Sequence, residues 1–143
     1  MSVEAAERYI AFWQALSAET LDRLPEFMAP DMHFRDPFND LHGLPQVTAS
    51  FSRIYRMIRD VEITVHDRAF SAEAPAGSVC YLRWTFAYTL RSGKRLSIEG
   101  MSEVRFAETG LAIEHIDHWD AAGQVYEKLP LIGWLLRLIR RRI

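Results

Sequence analysis

Cysteine is nearly absent: Cys80 is the only one in 143 residues. An internal disulfide is therefore excluded, and so is a zinc site built from cysteines. No run of 18 apolar residues occurs, which excludes a helical membrane span. An excess of either charge is lacking too. The formal net charge is −2, so nothing in the balance argues for nucleic acid as a partner. The opening MSVEAAERYIAFW carries acids and no long apolar run, unlike a signal peptide, and the cytoplasm is the expected location. No internal repeat or low-complexity tract is visible.

What is present is the balance of an ordinary globular domain, 49% hydrophobic and 25% charged. The length suits one domain with a real core. Ala6, Tyr9, Ile10, Trp13 and Leu16 recur at helical spacing and predict a helix over 3–16. Leu21, Leu24, Phe27 and Met28 predict a shorter second helix, ended by Pro30. DMHFRDPF then alternates, with Met32, Phe34 and Asp36 on one face and His33 and Arg35 on the other, so a short strand is expected. NDLHG reads as a turn or a brief return strand.

Gly43 and Pro45 open a third helix with Val47, Phe51, Ile54, Tyr55 and Ile58 as its apolar stripe. From there the period changes to two. VEITVHDRAF is a strand, SAEAPAGS a loop, and VCYLRWTFAYTLR a long strand that is apolar on nearly both faces and so has no evident register. After an SGK turn, Leu96, Ile98, Gly100, Ser102, Val104 and Phe106 share the inward face of the next strand. A TG turn leads to the last strand, LAIEHIDHW. Asp120 is placed to cap a helix that begins near Ala121. The expected fold class is α+β, with helices against a curved, mostly antiparallel sheet. Residues 1–122 form the body and 123–143 an amphipathic basic helix appended to the same domain.

The polar residues of the last strand divide by face. Ile113, His115, Asp117 and Trp119 share one face; Ala112, Glu114, Ile116 and His118 share the other. If Ile113 and Trp119 pack with the apolar face of the neighbouring strand, His115 and Asp117 come inward with them. Ionisable groups among apolar ones are costly unless paired or hydrated, which makes them candidates for function. The alternatives are an ion pair for Asp117 and a satisfied core histidine for His115. Asp36 shares a face with Met32 and Phe34 and precedes Pro37, so it suits a general base or, alternatively, a turn-forming acid. Trp84, Phe86, Tyr88 and Trp119 read as pocket wall and core, and Cys80 as a packing residue. No metal is expected. His115 and His118 point to opposite strand faces, and Asp31 and His33 share a face without a visible third ligand.

The helix–helix–FRDPF opening, the glycine-led third helix, the long hairpins and the terminal HWD resemble the NTF2-like superfamily. The likeness runs over about residues 4–122 and is nearest to SnoaL-like and ketosteroid-isomerase-like proteins. It implies a cone-shaped sheet wrapped by helices around a deep apolar pocket, and in many members a homodimer. Ketosteroid isomerase, a standard case of pKa tuning, uses an Asp base with a tyrosine and a protonated aspartate as oxyanion donors. Asp36 matches the base, while Phe12 and Ser102 fall where the donors would be, so the implied chemistry is not that of a standard steroid isomerase. Asp117 matches an acid that other branches place on the last strand, with His115 two residues before it. Epoxide hydrolases of the superfamily also need an arginine between two aspartates; Arg83 is the mid-strand arginine that would have to serve. The resemblance thus implies a pocket for a small hydrophobic molecule, lined by Phe12, Phe34, Ser102 and Trp119. Asp36, Asp117 and His115 are its acid–base candidates, without a cofactor. The alternative is a non-catalytic binding or scaffold protein.

The tail departs from that pattern. KLPLIGWLLRLIRRRI mixes Trp134 and aliphatic residues with arginines, and residues 131–143 carry four arginines and no acid. Two expectations stand side by side. Leu131, Ile132, Leu135 and Leu138 pack on the domain or a partner copy, or the segment touches the inner face of a membrane.

Overall fold

The computed structural model describes residues 3–72 and 79–142. Its elements run α1 (Val3–Gln14), a 3-10 helix (Ala18–Glu26), β1 (Met28–Arg35), β2 (Asp40–His42), α2 (Leu44–Met57), β3 (Ile58–Phe70), β4 (Val79–Leu90), β5 (Arg95–Phe106) and β6 (Ala112–His118). The short helix α3 (Ala121–Gln124), a single 3-10 turn and α4 (Pro130–Arg140) complete the chain. The strands form one six-stranded sheet in the order β2-β1-β6-β5-β4-β3.

The expected α+β class holds, and the sheet is mixed: β1 pairs in parallel with β6, and the other neighbours are antiparallel. The meander β3–β6 pairs antiparallel throughout, with short turns joining β4 to β5 and β5 to β6. It returns to β1 across a long connection, and that frees the last pair to be parallel. Two sequence boundaries shift. The second helix is a 3-10 helix that contains Pro25, and Pro30 lies inside β1 instead of ending a helix. Proline is tolerated there because the β1–β6 register is irregular between Met28 and His33, where the ladder does not use its missing N–H. Ile58, expected on the third helix, is the first residue of β3. Most of the SAEAPAGS loop, residues 73–78, lies outside the described residues.

The core sits between the helices and the inner face of the sheet. Tyr9, Leu24, Met28, Met32, Val47 and Val104 are fully buried, each apolar side chain of this kind contributing about 1.5–3 kcal/mol. Pairing decides the face of β4, which composition leaves open. Leu82, Trp84, Phe86, Tyr88 and Leu90 turn toward the interior, and Arg83 lies exposed on the outer face opposite Met101.

Candidate functional site

The inner face of the sheet does not close on the helices. It leaves a cavity of about 430 Å³ with a wall that is almost entirely apolar, including Trp13, Phe51, Ile63, Leu82 and Trp84. That volume falls in the range of about 300–1,000 Å³ usual for small-molecule pockets. Besides Asn39, four polar residues reach it: Asp36, Ser102, His115 and Asp117.

Three of the four are joined. His115 is only 4% exposed. Its Nε2 lies 2.8 Å from Asp117 Oδ1 and 3.1 Å from Ser102 Oγ, and its Nδ1 lies 2.9 Å from the Tyr9 hydroxyl. Ser102 donates a short bond of 2.5 Å to the same Asp117 oxygen, and the Trp84 indole N–H donates to Ser102 Oγ at 2.7 Å. One proton arrangement satisfies every member. Tyr9 O–H donates to Nδ1, Nε2–H donates to the carboxylate, and Ser102 passes on the bond it receives from Trp84. Burial pushes the Tyr9 phenol well above its usual range, which keeps it a donor. All of these bonds converge on Oδ1. Among the described residues nothing bonds Oδ2, and Asp117 borders the cavity.

The backbone places these groups for local reasons. A bulge in β6 leaves Ile113 without a partner between Ala112↔Phe106 and Glu114↔Arg105. The expected inward position of Ile113 is therefore corrected: it is 37% exposed, while Ala112 is completely buried. Past the bulge the alternation resumes with His115 and Asp117 inward and Glu114 and His118 outward. Gly100 supplies the other local reason. It pairs directly with Trp84, and a Cβ built there would lie 2.6 Å from the indole. The absent side chain is the space that the Trp84 ring occupies while reaching Ser102.

Phe34, Ser102 and Trp119 border the cavity. Phe12 does not. It is buried and stacked on Phe27 at 4.1 Å between centroids, on the side of α1 turned away from the cavity lining. One helical turn earlier, Tyr9 delivers the hydroxyl that Phe12 lacks, and Trp13 reaches the wall. Sequence reasoning missed Tyr9. The signal was a phenol on an apolar helix stripe, whose O–H needs a partner when buried. Trp13 Nε1 is buried near the Tyr9 hydroxyl without reaching bonding geometry, and so keeps a donor at the cavity wall.

Asp36 lies just past the end of β1, also at the cavity. Its Oδ1 accepts the backbone N–H groups of Phe38 and Asn39 at 2.7 and 2.8 Å, and the Asn39 side-chain amide spans both oxygens at 3.0 and 3.1 Å. This is an Asx-type turn. Arg83, exposed on the outer face, does not lie between Asp36 and Asp117, so an epoxide-hydrolase triad does not assemble. The rim near Asp36 is aromatic, with Phe38 in edge contact with both Trp119 and Tyr126.

A family model described as the SnoaL-like domain matches residues 6–115. The chain belongs to the SnoaL-like domain family. No curated protein sequence matches it. Among solved structures, this SnoaL-like domain is similar to TsrD from Streptomyces laurentii, at 19% identity and TM-score 0.70, covering 86% of this chain and 93% of that one. A putative SnoaL-like polyketide cyclase from Jannaschia sp. CCS1 shares 17% identity at TM-score 0.68, with 85% and 86% covered. A Δ5-3-ketosteroid isomerase from Mycobacterium sp. shares 16% at TM-score 0.64, with 82% and 92% covered. At these identities the likeness establishes the NTF2-like fold.

On the outer face, β1, β2 and β6 bring a second polar group together. His33 bonds Asp40 at 2.7 Å and Glu114 at 3.3 Å, its ring stacks on His42 at 4.4 Å, and Arg105 bonds Glu114 at 3.0 Å. The hydrogen bond to Asp40 raises the His33 pKa above its usual value. The expectation that His33 has no ligand-type neighbours beyond Asp31 is thus corrected. Cross-strand pairing of His33 with His42 brings His42 and Asp40 to it, with donor atoms within 4.8 Å of one another. His118 is outward as expected, 2.8 Å from Glu103.

Proposed function

We propose that this SnoaL-like domain binds a small hydrophobic molecule in the inner cavity and moves a proton on it, with Asp117 as the base and His115 as its partner. One observation carries the reading: Ser102 and His115 both bond Asp117 Oδ1, nothing among the described residues bonds Oδ2, and Asp117 borders the apolar cavity. His115 supports the assignment because it disperses charge. As a proton leaves the substrate for Oδ2, Nε2–H remains bonded to Oδ1, and the Tyr9 hydroxyl fixes the ring through Nδ1. The reaction class is a cofactor-independent isomerisation, cyclisation or hydration. Asp36, bonded to the loop it organises, sits at the rim as an orienting group for the polar end of the ligand.

A second reading is favoured by a separate observation. The position that matches the base of ketosteroid isomerase is occupied by Asp36, which already accepts four hydrogen bonds from three donor groups. A pocket that binds without turnover accounts for that. The two readings part in one experiment. Small molecules are extracted from protein purified without detergent and identified by mass spectrometry, then offered to the protein and to Asp117→Asn. Catalysis predicts product formation that falls by about 10²–10⁴-fold in the variant, the usual share of a general base. Retained ligand with no product from either protein establishes the binding reading and ends the catalytic one.

A further inference from the structure

The helix α4 is docked the wrong way round for a water-soluble surface. Leu131, Trp134, Leu135 and Leu138 follow three- and four-residue spacing along one side, flanked by Ile132 and Ile139. An amphipathic helix normally turns such a stripe to its own core. Here the opposite side meets the domain. Gly133 is buried, and Arg140 bonds the Asp120 carboxylate at 3.1 Å, packed so close to Gly123 that a Cβ there would lie 2.9 Å from the guanidinium. The apolar arc faces outward, with Leu131 85% and Trp134 63% exposed and Ile132, Leu135, Leu138 and Ile139 exposed beside them. Of the two packing alternatives for Leu131, Ile132, Leu135 and Leu138, the domain does not cover them, which leaves a partner copy or a membrane.

We propose that α4 is a membrane-surface helix that seats the protein on an anionic bilayer. Three features select lipid over a second copy of the chain. Residues 131–143 hold four arginines and no acid, so a second α4 would bring more positive charge, whereas anionic headgroups complement it. The arc contains Trp134, a residue suited to the headgroup boundary. Gly133 is buried and Arg140 is tied to Asp120 on the domain side while Arg137 and Arg140–Arg142 stay exposed, so the helix lies between protein and lipid with its apolar arc free to enter the acyl boundary. No helix of the described residues is long and apolar enough to cross a membrane, so the contact lies in the interface plane. The pocket rim is close by in the chain. Trp119 and Val125 border the cavity, and Tyr126, in the turn that leads into α4, touches rim residue Phe38. An apolar ligand would reach the mouth from the lipid side.

Co-sedimentation of the full chain with vesicles tests this. Vesicles of phosphatidylcholine alone and with about one third phosphatidylglycerol are compared at low and at physiological salt. Binding is expected to the anionic vesicles, at least about tenfold weaker on neutral ones and weakened by salt. The double variant Leu135→Asp/Leu138→Asp is expected to bind at least about tenfold less. Leu131→Asp, at the most exposed position, should do likewise in a protein whose circular dichroism is unchanged. Failure to bind anionic vesicles, or binding that survives these substitutions, overturns the proposal. So does a dimer in lipid-free light scattering that the double variant dissociates, because the arc would then be covered by a second copy.

Discussion

Two histidine–carboxylate groups share strand β6 and take opposite faces of the sheet. His115 and Asp117 project from β6 into the interior, while His33 on β1 and Glu114 on β6 project outward, and each pair is within hydrogen-bond reach. Inside, each partner is fixed by a further buried group, Tyr9 on one side and Ser102 with Trp84 on the other. Outside, His33 divides itself between Asp40 and Glu114, both of which face water. Low dielectric makes the inner bonds strong and the loss of any one costly; solvent screens the outer ones. Similar residue types thus make a directional network on one face and an adjustable surface cluster on the other.

That contrast breaks most directly at His115. His115→Ala should destabilise the fold by about 2–4 kcal/mol, the cost of a buried cavity and of leaving the Tyr9 hydroxyl and the Asp117 carboxylate short of a partner. Urea unfolding would measure it, and a loss below about 1 kcal/mol would show that the inner network is no stronger than the outer. Gly100→Ala comes next. The new methyl would collide with the Trp84 ring and pull its N–H from Ser102, at about 1–3 kcal/mol of overpacking. Its tryptophan fluorescence should shift as well; an unchanged spectrum with full stability would mean that the glycine has no steric role. The smallest effect is expected outside. The His33 pKa is raised, so its contribution is complete below about pH 6.5 and is lost as pH rises through the higher folded-state value. Asp40 has a lowered pKa, held down by its bond to His33, and its share persists until pH falls below the ordinary carboxylate range. The difference in Tm between the parent and His33→Gln should therefore be larger at pH 5.5 than at pH 9. A difference independent of pH would remove the electrostatic account.

The fold was largely legible in the sequence because its signals are local. The stripe of α1, the Gly43–Pro45 entry to α2 and the alternation of β5 each arise from residues a few positions apart. Part of the site was legible in the same way: alternation along LAIEHIDHW is enough to set His115 and Asp117 together and His118 apart. The choice between Phe12 and Tyr9 was not, since both belong to the buried side of α1, and only the packed angle of that helix says which one meets His115. The sequence left Asp36 open between a base and a turn-forming acid, and only the folded loop brings the Phe38 and Asn39 backbone N–H groups onto its Oδ1.

By itself, then, the sequence determined the period of most elements, the α+β class, the shared face of His115 and Asp117 and the apolar–basic character of the tail. These follow from near neighbours along the chain, where helix and strand geometry leave few choices. Only the tertiary structure decided that β1 lies parallel to β6, that Tyr9 and Ser102 meet on one histidine–aspartate pair, and that α4 leaves its apolar arc exposed. Each of those rests on contacts between residues far apart in the chain. Such contacts are selected by the combined packing of the whole molecule, and no local pattern encodes them.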